Sequence, residues 1–223
     1  MIRFAVERPR DAYASRMMRK LPIVASILLT TLSTSTRADV PAFTVRDGLK
    51  VTVAAADVGN ARFLQFDDNG MLFVSQPDAG TITALRDEDN DGVFENRSVF
   101  LGQNKGVHSM DFKDGWLWIS NARTGSILKA RDTDNDFKAD EIIEVVKAGW
   151  IEAGRGHPTW GILVGADRFY LAVSDPQNMT DELDSPRKTI YSFALDGSDK
   201  KVFATGIRNT EKLRYRPLSD GTM

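Results

Sequence analysis

Two histidines are present in the 223 residues, so each has to be weighed as a base. His157 lies in Gly154-Arg-Gly-His-Pro-Thr-Trp160, a glycine-rich stretch directly ahead of an apolar run that starts near Ile162. A loop imidazole titrates near working pH and can take a proton from a substrate hydroxyl; it can equally cap a turn. His108, in Gly106-Val-His-Ser109, reads as a loop residue at the corresponding approach to the preceding unit. Arg208 and Asn209, in Ala204-Thr-Gly-Ile-Arg-Asn-Thr210, put a fixed cation beside an amide. That pair suits carboxylate or carbonyl oxygens and a developing negative charge, although the same two residues can be plain loop surface.

Hard oxygen donors form a third group. Asp87-Glu-Asp-Asn-Asp-Gly92 spaces Asp87, Asp89 and Asp91 like the first half of an EF-hand calcium loop, with Gly92 sixth. Position twelve is Ser98 rather than a bidentate glutamate, with Glu95 as the substitute. The second copy, Asp132-Thr-Asp-Asn-Asp-Phe137, has lost the glycine, which makes the tight turn harder. A solvated acidic hairpin is the competing reading for both.

These residues sit between short apolar/polar alternations bounded by Gly, Asp and Asn, the pattern of strands and hairpins. The fold class expected is all-β. An Asp/Gly turn feeding a strand that ends in Ser recurs at Phe66-Asp-Asp-Asn-Gly-Met-Leu-Phe-Val-Ser75, Phe112-Lys-Asp-Gly-Trp-Leu-Trp-Ile-Ser120 and Val164-Gly-Ala-Asp-Arg-Phe-Tyr-Leu-Ala-Val-Ser174. Leu72, Leu117 and Leu171 then repeat at roughly 45 to 54 residues, near the period of one four-stranded propeller blade. About three blades are expected, with a fourth opening at Leu213 and ending mid-blade, so the chain reads as truncated. Trp116 and Trp118 share a strand face and are expected in core or inter-blade packing.

Composition narrows the class. A formal net charge of -2 supplies no basic field for nucleic acid, and the absence of cysteine excludes disulfides, thiolate metal sites and c-type haem attachment. Kinase, serine-hydrolase and zinc-enzyme readings find no motif. Arg16, Arg19 and Lys20 precede the apolar run 21–32 and a small-residue zone ending at Ala38, the order of a secretory signal. Twelve helical residues span about 18 Å, short of the ~30 Å bilayer core, so no membrane span is expected after cleavage. The expected organisation is an N-terminal extension and signal over 1–38, with the signal at about 17–38, and a partial propeller over 39–223; export points to the periplasm or the exterior.

The chain resembles the pyrroloquinoline-quinone (PQQ) dependent glucose/sorbosone dehydrogenases over roughly residues 42–217. The resemblance rests on Phe43-Thr-Val-Arg-Asp-Gly-Leu-Lys-Val-Thr-Val53, Arg62-Phe-Leu-Gln-Phe66, Asp114-Gly-Trp-Leu-Trp118, Gly156-His157 and Val202-Phe-Ala-Thr-Gly-Ile-Arg-Asn209. It implies a six-bladed β-propeller and a quinoprotein oxidising a sugar, polyol or sugar-derived aldehyde. His157 would be the base, Arg208 and Asn209 would contact PQQ, and Ca²⁺ would assist. Pro158, Thr159 and Trp160 follow His157, where sorbosone-type members often continue with histidine, threonine and arginine. The family's calcium ligands and further basic contacts come from blades after the Arg-Asn pair. The alternatives are a non-enzymatic secreted binding propeller and a gluconolactonase-like hydrolase with a central divalent ion. Open blade faces lead one to expect self-association.

Overall fold

A computed structural model describes the backbone of residues 2–6 and all of residues 43–151, 160–175, 177 and 186–216. His157 and the apolar run 21–32 lie outside these described residues. The chain divides into two compact units, Met1–Ala56 and Asp57–Met223. In the first, β1 (Ile2–Val6) pairs antiparallel with β2 (Leu49–Val53), Ile2 opposite Val53 and Val6 opposite Leu49. A strand thus stands in the stretch expected as N-terminal extension.

The second unit is built from three four-stranded antiparallel sheets, each a meander of consecutive strands. The first blade comprises β3 (Leu64–Phe66), β4 (Leu72–Gln76), β5 (Thr81–Arg86) and β6 (Asn96–Leu101). The second comprises β7 (Val107–Lys113), β8 (Trp116–Asn121), β9 (Ile127–Arg131) and β10 (Glu141–Val146). The third comprises β11 (Ile162–Val164), β12 (Arg168–Val173), β13 (Thr189–Ala194) and β14 (Lys201–Thr205). The expected all-β propeller architecture is the one found, and the described residues contain no helix.

Turn chemistry explains the hairpins. Between Lys113 and Trp116, which pair, Asp114 (φ 51°) and Gly115 (φ 78°) both take the left-handed conformation of a two-residue primed turn. In the first blade Asp67 Oδ1 accepts from Asn69 N and Met71 N, closing the longer turn. The ladders show which residues are equivalent: Phe66–Leu72–Leu85, Phe112–Leu117–Ala130 and Val164–Phe169–Phe193. In the third blade Phe169 therefore takes the place expected of Leu171, one step earlier on the same strand face. Both are fully buried.

Alternation along β8 sorts its side chains between two cores. Leu117 and Ile119 face the first blade, beside Phe73, Ile82 and Phe100; Trp118 faces the third, beside Phe169 and Phe193. Trp118 and Phe169 lie 5.3 Å apart by ring centroid, and Phe169 stacks on Phe193 at 5.0 Å. Trp118 is thus an inter-blade residue, while Trp116 packs at the same core's edge under Lys129 and Arg131. Each fully buried side chain of this size contributes about 1.5–3 kcal/mol, and the middle blade contributes such residues to both cores. Large apolar groups stand in solvent on all three blades: Leu64 and Phe66 on the first, Ile142 and Ile143 on the second, Val202 and Phe203 on the third.

Because the sheets are meanders, each blade has two distinct ends. The starts of β3, β7 and β11, the β4–β5, β8–β9 and β12–β13 connections and the ends of β6, β10 and β14 share what we call the upper end. The β5–β6 and β9–β10 turns lie at the lower end.

Candidate functional site

The upper end of the third blade gathers Arg208 and Asn209 with four residues that the sequence did not single out. Ser174 and Asp175 follow β12, Arg187 and Lys188 precede β13, and the Arg-Asn pair follows β14. Ser174 Oγ donates to Asn209 Oδ1 at 2.8 Å, and the backbone N–H of Asp175 donates to the Arg208 carbonyl at 2.7 Å. Arg187 Nε donates to the Ser174 carbonyl at 2.8 Å, and Lys188 Nζ stands 3.9 Å from Asp175 Oδ2. Ser174, Asp175 and Arg187 are buried, whereas Arg208 is exposed. Among the described residues Arg187, Lys188 and Arg208 stand at this end of the blade with Asp175. The strands flanking His157, β10 and β11, end and begin at this same end of their blades.

His108 is not a loop residue. It lies within β7, buried, with its ring 4.7 Å from that of Phe63. Burial, reinforced by the charge of Arg62, pushes its pKa down to about 4, so it is neutral at working pH. Its Nδ1 is buried without a hydrogen-bond partner among the described residues. The strand escaped detection because β7 carries a bulge: Val107 opposes Asn121 and Met110 opposes Ile119, which breaks the two-residue alternation.

Along the inner edges of the blades, side chains of one sheet satisfy the edge of the next. Ser109 Oγ accepts from Ile162 N at 3.4 Å, and Asp111 Oδ2 accepts from Val164 N at 2.7 Å. The chain after Asn209 runs along β11, where a Cβ on Gly161 would come within 2.9 Å of the Thr210 carbonyl oxygen. From this segment Lys212 Nζ donates to the Met110 carbonyl at 2.7 Å and to Gln65 Oε1 at 2.9 Å, and Glu211 pairs with Arg62 at 2.8 Å. Burial, with Arg214 nearby, pulls the Lys212 ammonium down to about 8. Burial also raises the Asp111 carboxyl, against the Val164 N–H and the charges of Lys212 and Arg214.

The acidic turns sit at the lower end. In the first, ligand oxygens of Asp87, Asp89, Asp91 and Glu95 lie within 4.8 Å of one another, so Glu95 does join the three aspartates. In the second, Asp132, Asp134 and Asp136 gather likewise, but Lys138 Nζ already pairs with Asp136 at 2.6 Å. The turn forms without glycine because Phe137 accepts φ 68° while its ring packs on the core and under Arg86 at 5.5 Å. The two candidate sites, metal and Arg-Asn, therefore occupy opposite ends of the blades.

A family model described as a domain of unknown function, DUF7133, matches residues 35–214. The chain belongs to the DUF7133 family. No curated protein matches this DUF7133 chain in sequence. Among solved structures it is similar to the PQQ domain of pyranose dehydrogenase from Coprinopsis cinerea, with 16% identity, TM-score 0.57, and coverage of 70% of this chain and 41% of that one. The calcium structure of the Trichoderma reesei carbohydrate-active enzyme family AA12 gives 16% identity and TM-score 0.57, covering 74% and 42%. A putative oxidoreductase (glucose dehydrogenase) from Thermus thermophilus gives 15% identity and TM-score 0.52, covering 73% and 57%. The DUF7133 chain thus shares the fold of PQQ sugar-dehydrogenase-type oxidoreductases and spans about two fifths to three fifths of their length. Among the described residues no helix is long and apolar enough to cross a membrane.

Proposed function

We propose that the DUF7133 chain is part of an exported quinoprotein-type oxidoreductase that oxidises a sugar, polyol or sugar-derived aldehyde with PQQ. The observation that carries this reading is the placing of Arg208 and Asn209 beside Ser174 and Asp175 at the upper end of the third blade, on a fold shared with PQQ domains. The donor types fit the group: PQQ is a polycarboxylate quinone, and a guanidinium beside an amide, as at Arg208 and Asn209, suits its oxygens. When bound, the quinone supplies the hydride acceptor. Arg208 and Asn209 would hold its oxygens, Arg187 would support them through the Ser174 carbonyl and Lys188 would stand by Asp175, and His157 would take the hydroxyl proton of the substrate. The leader at about 17–38 directs the protein to the periplasm or exterior.

The first acidic turn is proposed to bind Ca²⁺ through Asp87, Asp89, Asp91 and Glu95, as a structural ion remote from the Arg-Asn corner. The second supplies its own cation in Lys138. The exposed Leu64, Phe66, Val202 and Phe203 are proposed to drive self-association, which light scattering reads directly.

The hydrolase reading places a divalent ion at the inner edges of the blades, where instead the Lys212 ammonium takes the oxygens of Gln65 and Met110. The deciding experiment adds PQQ to the purified protein and follows absorbance and dye-linked sugar oxidation. A quinoprotein gains both, and His157→Ala then lowers the rate about 10²- to 10⁴-fold. A binding module gains neither.

A further inference from the structure

Three serines end the repeated strands, yet they do different work. In the first blade Ser75 Oγ accepts from Phe63 N, and in the second Ser120 Oγ accepts from Ser109 N while donating within the inter-blade seam to the Trp160 carbonyl at 2.7 Å. Both face the first strand of their own sheet. The ladder of the third blade puts Ala172, not Ser174, at that position, since Ala172 N donates to the Gly161 carbonyl as Ser75 N does to the Phe63 carbonyl. Ser174 lies beyond the strand, and its hydroxyl turns to Asn209 Oδ1 at 2.8 Å. The next residue, Asp175, holds the Arg208 carbonyl through its backbone N–H at 2.7 Å.

We propose that Ser174 is a positioning residue for the Arg208–Asn209 pair, its hydroxyl setting the orientation of the Asn209 amide while Asp175 fixes the backbone of Arg208. This rests on the PQQ reading of the pair. Ser174 is suited to the task because it is itself immobile: it is 1% exposed, and its carbonyl accepts from the buried Arg187 Nε at 2.8 Å. An amide presents a different donor and acceptor to a ligand in each of its orientations. Fixing the oxygen toward Ser174 selects one of them in advance, which is how a supporting residue raises affinity without touching the ligand.

A double-mutant cycle tests this on the full chain, with PQQ as the probe in equilibrium dialysis. Ser174→Ala is expected to weaken PQQ binding about 3- to 10-fold, the range of one hydrogen bond, and to have no further effect in the Asn209→Ala background. An unchanged affinity, or the same loss in both backgrounds, overturns the proposal and leaves the PQQ reading standing. If the wild-type chain does not bind PQQ, that reading falls, and side-chain amide NMR decides the positioning role alone. Ser174→Ala is then expected to move the Asn209 amide signals while leaving those of Asn121, held by the Asn104 side chain and the Lys105 carbonyl, in place. Asn209 signals that stay fixed overturn it.

Discussion

His108 should make the Asp57–Met223 unit lose stability in mild acid. Its pKa is about 4 in the folded chain against 6.5 for an unperturbed imidazole. As pH falls below 6.5 the unfolded chain takes up a proton that the folded chain refuses. The stability linked to this group is therefore complete above 6.5, drains between 6.5 and 4, and changes no further below. At pH 4.5 the loss is about 2.5 kcal/mol, a substantial part of the roughly 5–15 kcal/mol that holds a domain together. Protonation would place a second charge beside Arg62, next to the Phe63 ring. His108→Leu keeps an apolar group of similar size in the seam and removes the titration. Urea unfolding followed by tryptophan fluorescence at pH 7.5 and 4.5 reads the effect, and subtracting the variant removes the carboxylates common to both proteins. Wild type should lose about 2.5 kcal/mol more than His108→Leu between the two pH values. Equal losses would refute the assignment.

Lys212, held at about 8 against 10.5 unperturbed, acts with the same sign in an alkaline window: the unfolded chain keeps its proton longer, so stability rises from pH 8 to 10.5. Lys212→Met should flatten that rise in urea midpoints, and an unchanged slope would show that another group is responsible. Calcium should raise the melting temperature of wild type and of Asp134→Asn but not of Asp89→Asn, as calorimetry with and without chelator will show. At Phe137, φ 68° burdens any residue with a Cβ, so Phe137→Gly should melt above Phe137→Ala, by about 1 kcal/mol, with both below wild type for want of the ring. The reverse order would mean that the turn carries no backbone strain.

What the sequence disclosed and what it hid divide along the reach of the interactions. The Asp114-Gly115 turn and the alternation of β8 are local, and both appear in the residues themselves. Phe169 and Leu171 stand two apart on one face, so a pattern of period two cannot choose between them; only the pairing of Phe169 with Val164 and Phe193 does. Ser109 and Asp111 look like loop residues because they are polar. They are buried because the N–H groups they accept from, on Ile162 and Val164, arrive 53 residues later. Lys212, in the same way, meets Gln65 across 147 residues. The Arg208–Asn209 pair was visible as a motif, whereas Ser174 became distinguishable from Ser75 and Ser120 only through the register of its blade.

That lysine also acts as a tie between two sheets. With its ammonium on Met110 and Gln65, and Glu211 on Arg62, the chain after Asn209 links the inner strands of the first and second blades by side chains. β3 and β7 belong to separate sheets, so this contact between them is made by side chains, and a single substitution at Lys212 can loosen it while leaving each sheet's own strand pairing intact.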